Sequence, residues 1–473
     1  MFSKILIANR GEIAVRIIRA CNDLHIKSVA IYSRADKESM HVKMASESYE
    51  VSQDPLKSYL DGDAIIDIAL ACDAEAIHPG YGFLSENAEF AQKVKDAGLV
   101  WIGPDASVIA KMGDKNAARE LMKKNGIPIV PGTDALNNHS IQEIKIMANK
   151  IGYPVILKAS NGGGGRGIRV VRNDSEIEEN LAACKREAMA FFKNDEVFME
   201  KCIENPKHIE FQILGDNYGN IIHLLERDCS IQRRHQKLVE IAPSPTMSLD
   251  LRRRMGAVAV AAAKAANYTN AGTIEFLVDD LGNFYFMEMN TRIQVEHGIT
   301  EEITGFDLIG RQIRSAAGEI LDLNQNEVIH QGYAIEVRIN AEDVKNDFTP
   351  NPGKITTYYP SLGPFVRIDS SVYKDYTIPP HYDSMIAKLM VRASSYDLAV
   401  NKLIRALDEF TIRGIKTTIP FLLNIAKDKD FRKGNFDTSY LESNMQRLMP
   451  SEIINKDDIA TAIAAAIAIR AGY

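Results

Sequence analysis

From Glu288 to His297 the sequence reads EMNTRIQVEH, and every second residue as far as Glu296 is polar or charged. If this stretch is extended, as Phe284-Tyr285-Phe286 just before it suggests, residues two apart share a face. Glu288, Asn290, Arg292, Gln294 and Glu296 then line one side, with Met287, Met289, Thr291, Ile293 and Val295 on the other. Two carboxylates, a guanidinium and two amides on one wall offer cation-binding and anion-binding chemistry together. The competing reading is a solvated sheet face. Thr273 to Val278 reads as the preceding strand, joined through the four-residue loop Asp280-Leu281-Gly282-Asn283. In that register Glu275 lies opposite Glu288, and facing carboxylates repel unless one is protonated or a cation lies between them. Mg²⁺, which favours oxygen ligands, resolves the repulsion; a one-residue slip would undo the pairing.

A second chemical stretch runs from Lys158 through Gly162-Gly163-Gly164-Gly165-Arg166-Gly167 to Ile168-Arg169-Val170-Val171. It contains G-x-G-x-x-G, but β-branched residues follow where a dinucleotide fingerprint must open a helix. No Lys-Ser/Thr pair follows either, so it is not a Walker A loop. Two strands joined by a glycine loop fit better, with bare N–H groups, Lys158 and Arg166 available to phosphates. Glu226 to Lys237 (ERDCSIQRRHQK) is dense in charge and reads as an anion-binding loop between strands. His78 to Asn87 (HPGYGFLSEN) is a loop that could present His78, Tyr81 and Glu86, or simply turn the chain. Two further strands alternate polar and apolar residues, His208 to Leu214 and Ala334 to Asn340. Lys115 is basic but carries weight only in company.

These groups need a frame. Ile5 to Ala8 is a buried strand, Gly11 a turn, Glu12 to Leu24 an amphipathic helix and Ser28 to Tyr32 a second strand: a βαβ opening, which holds ligands at the carboxyl ends of its strands. Ala76-Ile77 and Leu99 to Ile102 add strands, and Ser107 to Asn125 reads as one helix. At 473 residues the chain calls for several domains. With 56 basic against 63 acidic residues its formal net charge is -7, which argues against non-specific nucleic-acid binding. The five cysteines show no metal or disulfide spacing, as expected of a protein of the reducing cytoplasm. No apolar run reaches the roughly 20 residues of a membrane span. Ile459, Ile463 and Ile467 place an apolar stripe on a tail helix that docks on a partner or on the chain's own body.

The blocks at 78–87, 158–167, 226–237 and 288–297, with ILIANRGEIA at 5–14, resemble biotin carboxylase, the ATP-grasp component of biotin-dependent carboxylases, as far as about Leu448. The resemblance implies α/β and α+β architecture: an N-terminal βαβ domain (1–113), an ATP-grasp region (114–330) with a glycine-rich lid (131–203), a mixed C-terminal domain (331–447) and a helical tail (448–473). It implies that ATP and bicarbonate give carboxyphosphate, whose CO2 is captured by biotin. Carried onto matching positions, Lys115, Lys158, Gly163, Gly164, Gly165 and Gly167 bind phosphates. Glu200, Lys201, Ile203, His208, Gln232, His235 and Leu277 hold the nucleoside. Glu275, Glu288 and Asn290 hold Mg²⁺, with Mn²⁺ as the alternative. Lys237, Arg292, Gln294 and the Val295 backbone fix bicarbonate, and Glu296 is the base. Tyr81 and Arg338 meet biotin, Arg338 stabilising the enolate formed when released phosphate deprotonates it.

Gly298 stands where the family commonly has proline, and Ile168 where methionine is frequent. No Met-Lys-Met biotinylation motif occurs, since Val42-Lys43-Met44 matches only partly, so biotin is expected on a separate carrier protein, with a carboxyltransferase subunit as a further partner and a homodimer as the assembly. The acceptor expected is that of acetyl-CoA carboxylase or, inclined by the tail, of a two-subunit pyruvate carboxylase. A different ATP-grasp ligase and a catalytically silent nucleotide-binding regulator are the alternatives; the second requires loss of charged site residues, and none is lost.

Overall fold

A computed structural model describes residues 1–159, 167–192, 194–450 and 456–471. Strands β1 (Lys4–Ile7), β2 (Lys27–Ser33), β3 (Glu47–Ser52), β4 (Ala76–His78) and β5 (Val100–Trp101) form a parallel sheet in the order β3-β2-β1-β4-β5. The helix Gly11–Asp23 buries Ile13, Ile17 and Cys21, the face expected from their spacing. At the end of β4 the chain turns through Gly80, at φ 62°, where a Cβ would come within 2.9 Å of Asn9 Nδ2. That close approach lets Asn9 Nδ2 donate to Pro79 O (2.6 Å) and Tyr81 O (2.8 Å), which fixes the loop carrying Tyr81. His78, expected to be presented by this loop, is instead buried with Nδ1 accepting from Gly80 N. Its role is to shape the turn.

The helix expected over 107–125 is two helices, Ala106–Gly113 and Lys115–Lys124. Asp114 breaks it by capping: its carboxylate accepts from Asn116 N and Ala117 N. Lys115 thereby becomes the first residue of the second helix. A small antiparallel sheet follows, β7 (Ile168–Val171), β6 (Val155–Ala159) and β8 (Val197–Lys201) in that order, packed on the helices Ile141–Ile151 and Ile177–Phe192 around Ile144, Leu157, Leu181 and Met199. Lys158 faces Ile168 across β6 and β7, so the hairpin reading of the strands beside the glycine loop holds. The loop's residues Gly162 to Arg166, among them Gly163, Gly164 and Gly165, lie outside the described residues.

The larger sheet has eight strands: β9 (Lys207–Gly215), β10 (Ile221–Arg233), β11 (Gln236–Ala242), β12 (Asn270–Val278), β13 (Phe284–Asn290), β14 (Tyr333–Asn340), β15 (Val366–Ser370) and β16 (Met385–Ala393), in the order β13-β12-β9-β10-β11-β14-β16-β15. The segment 226–237 is therefore not a loop. It is the end of one long strand, a tight turn at Arg234-His235 with both φ positive (49° and 64°), and the start of the next. Both turn residues lie in the left-handed region that two-residue hairpin turns demand.

The last three strands belong to the mixed C-terminal part, where the helices Tyr396–Glu409, Ile419–Lys427 and Tyr440–Leu448 cover one large core. No helix among the described residues is long and apolar enough to cross a membrane. The tail helix Lys456–Arg470 leaves Ile463, Ile467 and Ile469 exposed. It does not bury that stripe on the chain's own body.

Candidate active site

Glu275 pairs with Glu288 across β12 and β13 as the loop length requires, although a bulge at Met287 follows at once. The expected strand does not continue to His297. It ends at Asn290, residues 291–296 are irregular, and a helix opens at His297 with Glu296 at its N-cap position. Alternation therefore stops where the chemistry begins. Ile293, Ile299 and Ile303 are buried in the core shared with Ile5, Ile7, Ile13 and Ile17, so the first sheet and its helix clamp this segment.

Across the large sheet, register places Glu288, Glu275, Glu210 and Arg227 opposite one another on successive strands. Arg227 is fully buried and donates to Glu210, Gln212 Oε1 (2.7 Å), Thr300 Oγ1 (3.0 Å), Thr273 Oγ1 (3.1 Å) and Gln294 Oε1 (2.7 Å). It thereby satisfies its fork of donors, which a buried guanidinium must do to be tolerated. Lys237 reaches the same space: its ammonium bonds Glu210, Glu275 Oε1 (2.9 Å) and Glu296 Oε1 (2.7 Å). Glu296 Oε2 accepts from Arg338 Nη2 at 2.9 Å, and Arg338 Nε holds Glu240 Oε1 at 2.7 Å.

Burial opposes every one of these charges, and the partners decide the outcome. Glu210, Glu275 and Glu296 keep Lys237 protonated against burial. Lys237, Arg338 and Arg227 hold Glu296 well below the usual carboxylate range. Lys237 and His208 do the same for Glu275. Glu288, by contrast, is pushed up by burial and by Glu275. Glu240 is pushed up by burial to about 7, and its register partner Glu336 well above the ordinary value.

The other expected residues fall into three groups. His208 and Leu277 face each other across β9 and β12, and Gln232 Nε2 lies 2.7 Å from His208 Nδ1, a cluster fit for a nucleoside. Lys158 Nζ donates to Glu200 Oε2 (2.6 Å), and Arg119 meets the same carboxylate. Burial, with Arg119 and Lys115 nearby, lowers Lys158 to about 8. Lys201 spends its ammonium on the Gly152 and Tyr153 carbonyls (2.9 Å each), Ile203 follows β8, Gly167 O accepts from Ala159 N, and His235 is exposed at the hairpin tip. Arg292 Nε donates to Glu86 Oε2 (2.9 Å) and Nη2 to Asn290 Oδ1 (3.1 Å), so Glu86 joins the site through Arg292. Tyr81 donates its hydroxyl to Glu12.

For a cation, Glu288, Glu275 and Asn290 supply hard oxygen donors, and the repulsion that raises Glu288 is what a divalent ion would relieve. His208, Glu210 and Glu275 also converge, as do Glu210, Cys229 and Glu296, but the Lys237 ammonium already lies between Glu210, Glu275 and Glu296.

The reading of the residues assigned no part to Arg227, Glu210, Glu240, Glu12 or Lys388. Lys388 did carry a signal: a lone lysine in the apolar run Met385-Ile386-Ala387-Lys388-Leu389-Met390, fully buried in β16. Gly298 also has a physical reason, since a Cβ there would lie 2.4 Å from Met390 Sδ. The methionine fills the space that a larger residue at 298 would take.

Residues 1–109 match the family described as Biotin carboxylase, N-terminal domain, residues 114–324 the Carbamoyl-phosphate synthase L chain, ATP binding domain, and residues 336–443 the Biotin carboxylase C-terminal domain. The 2-oxoglutarate carboxylase small subunit of Hydrogenobacter thermophilus is 52% identical over 468 residues, 99% of each chain. Biotin carboxylase of a Nostoc species is 54% identical over 442 residues, 93% of this chain and 99% of its own. The crystal structure of the Hydrogenobacter thermophilus biotin carboxylase domain dimer, in complex with MgADP, ADP and bicarbonate, superposes with a TM-score of 0.89 at 52% identity, covering 96% of this chain and 100% of that one. Identity at this level along the whole length, on a site in which the charged groups converge, means that the chain belongs to the biotin carboxylase family.

Proposed function

We propose that this chain uses ATP and bicarbonate to carboxylate biotin held on a separate carrier protein, with residues 1–113, 114–330 and 331–447 as its three working parts. The observation that carries the reading is Glu296 held between Lys237 and Arg338 beside Arg292 and Gln294. Lys237, Arg292, Gln294 and the Val295 N–H bind bicarbonate. With two cations on it Glu296 is a weak base. An arriving anion competes for Lys237 and Arg338, which returns basicity to Glu296 and lets it take the bicarbonate proton. The bicarbonate oxygen then attacks the γ-phosphorus. Lys115 and Lys158 stabilise the charge on the phosphoryl oxygens. Glu275, Glu288 and Asn290 would hold Mg²⁺, which supplies charge neutralisation at the phosphates. Carboxyphosphate breaks to CO2 and phosphate, the phosphate takes the ureido proton of biotin, and Arg338 faces the resulting enolate near Tyr81.

The test is ADP release by the purified protein with and without bicarbonate, and with and without free biotin. Bicarbonate dependence with stimulation by biotin is expected; a folded protein that shows neither overturns the reading. A 2-oxo acid as final acceptor is favoured over acetyl-CoA, because the match to the 2-oxoglutarate carboxylase small subunit extends through 99% of this chain, tail included, whereas the Nostoc enzyme matches 93%. Fixation of labelled bicarbonate into pyruvate, 2-oxoglutarate or acetyl-CoA by the chain with its partner subunits decides between them. The working assembly is a homodimer, as in the crystallised Hydrogenobacter thermophilus domain.

A further inference from the structure

Two consecutive peptide carbonyls in the irregular segment before Glu296 are each taken by a buried side chain. His297 Nδ1 bonds Gln294 O at 2.7 Å, and Lys388 Nζ donates to Val295 O at 2.7 Å. Both side chains are fully buried. Burial, with Lys388 nearby, lowers His297 to about 3, so it is neutral and carries its proton on Nδ1, the nitrogen that meets the carbonyl. In a trans peptide the C=O and N–H point in opposite directions. Holding Gln294 O inward therefore turns the Val295 N–H outward, and holding Val295 O inward turns the Glu296 N–H outward. Carbonyl oxygens facing a bound anion would repel it; N–H groups attract it.

We infer that Lys388 is a positioning residue for bicarbonate: it fixes the peptide between Val295 and Glu296 so that this segment meets the anion with donors, and so that the Glu296 carboxylate starts from one place. The inference rests on the bicarbonate-binding reading given above. Lys388 is itself held by Glu12 Oε1 at 3.1 Å, with Asp369 Oδ2 at 3.9 Å, and Glu12 also accepts from Tyr81. One buried ion pair thus ties the bicarbonate segment to the loop proposed to meet biotin. A fully buried lysine has a large desolvation cost, and its carbonyl contact is the one that leads into the site.

The test compares wild type, Lys388→Met and the double variant Lys388→Met/Glu12→Gln, in which no carboxylate loses its partner cation at position 12. Bicarbonate KM for ADP release and MgATP affinity by calorimetry are measured for each. The expected result is a bicarbonate KM raised about tenfold to a hundredfold, the range for a lost charge-assisted hydrogen bond, with MgATP affinity unchanged. If Lys388→Met does not fold, the double variant carries the test. An unchanged bicarbonate KM overturns the inference, and so does a fall in MgATP affinity in step with it, which marks Lys388 as merely structural. Wild-type protein without bicarbonate-dependent ADP release would instead defeat the proposed function.

Discussion

The large sheet and the small three-stranded sheet both gather charge, but they hold it differently. On the large sheet Arg227, Lys237, Glu275 and Glu296 are buried, and each has several partners drawn from different strands. On the small sheet half-exposed Lys158 and nearby Arg119 share one carboxylate, Glu200, and Lys115 lies exposed at a helix start. Burial without full pairing is what lowers Lys158 to about 8. The first region is preorganised by the fold, whose low-dielectric interior makes each pairing count. The second is arranged so that an arriving phosphate completes it.

Substitutions can break or sharpen this contrast. The largest effect is expected at Glu296→Gln, where turnover should fall about 10²- to 10⁴-fold, the usual share of a general base, while calorimetry shows MgATP binding intact; parallel loss of both would make Glu296 structural. Next is Arg227→Met, expected to cost about 3–5 kcal/mol in denaturant unfolding, because it leaves Glu210 buried without its guanidinium. A midpoint that hardly moves would deny that the fold holds the large-sheet charges in place. Lys158→Met should do the reverse: stability of the free protein stays within about 0.5 kcal/mol, yet MgATP affinity drops about tenfold. A variant that unfolds as readily as Arg227→Met would erase the difference between the two sheets.

The smallest effect concerns pH. Glu336 is raised above its unfolded value by burial, and among the described residues neither of its carboxylate oxygens has a hydrogen-bond partner. The folded protein therefore binds a proton that the unfolded chain releases as pH rises through about 4.3, so this group withdraws stability from there upward. Glu336→Gln, which can donate to the unpartnered Glu240 Oε2, should raise the melting temperature at pH 7 and leave it unchanged near pH 4. A gain that is the same at both pH values would show that Glu336 is ionised in the folded protein.

Legibility in the sequence followed distance along the chain. The facing carboxylates Glu275 and Glu288 could be placed because a four-residue loop sets the register of adjacent strands. The βαβ opening, the strands beside the glycine loop and the C-terminal helices carry their own periodicity, and all appear close to where the pattern put them. The expectations that failed, namely the strand running through Glu296, the single helix over 107–125 and the charged loop at 226–237, did so where capping, a bulge or a tight turn overrode alternation.

The sequence by itself determined which groups were available: the polar side chains of 288–296, the cations at 115, 158 and 237, and the local hairpin that pairs Glu275 with Glu288. Tertiary structure alone decided that Lys237 lies between Glu210, Glu275 and Glu296, that Arg227 anchors Gln294, and that Lys388 reaches Val295. Those contacts join residues far apart in the chain, and no local periodicity encodes them. They exist because packing the two sheets leaves these charges no water, and each must find its partner on another strand.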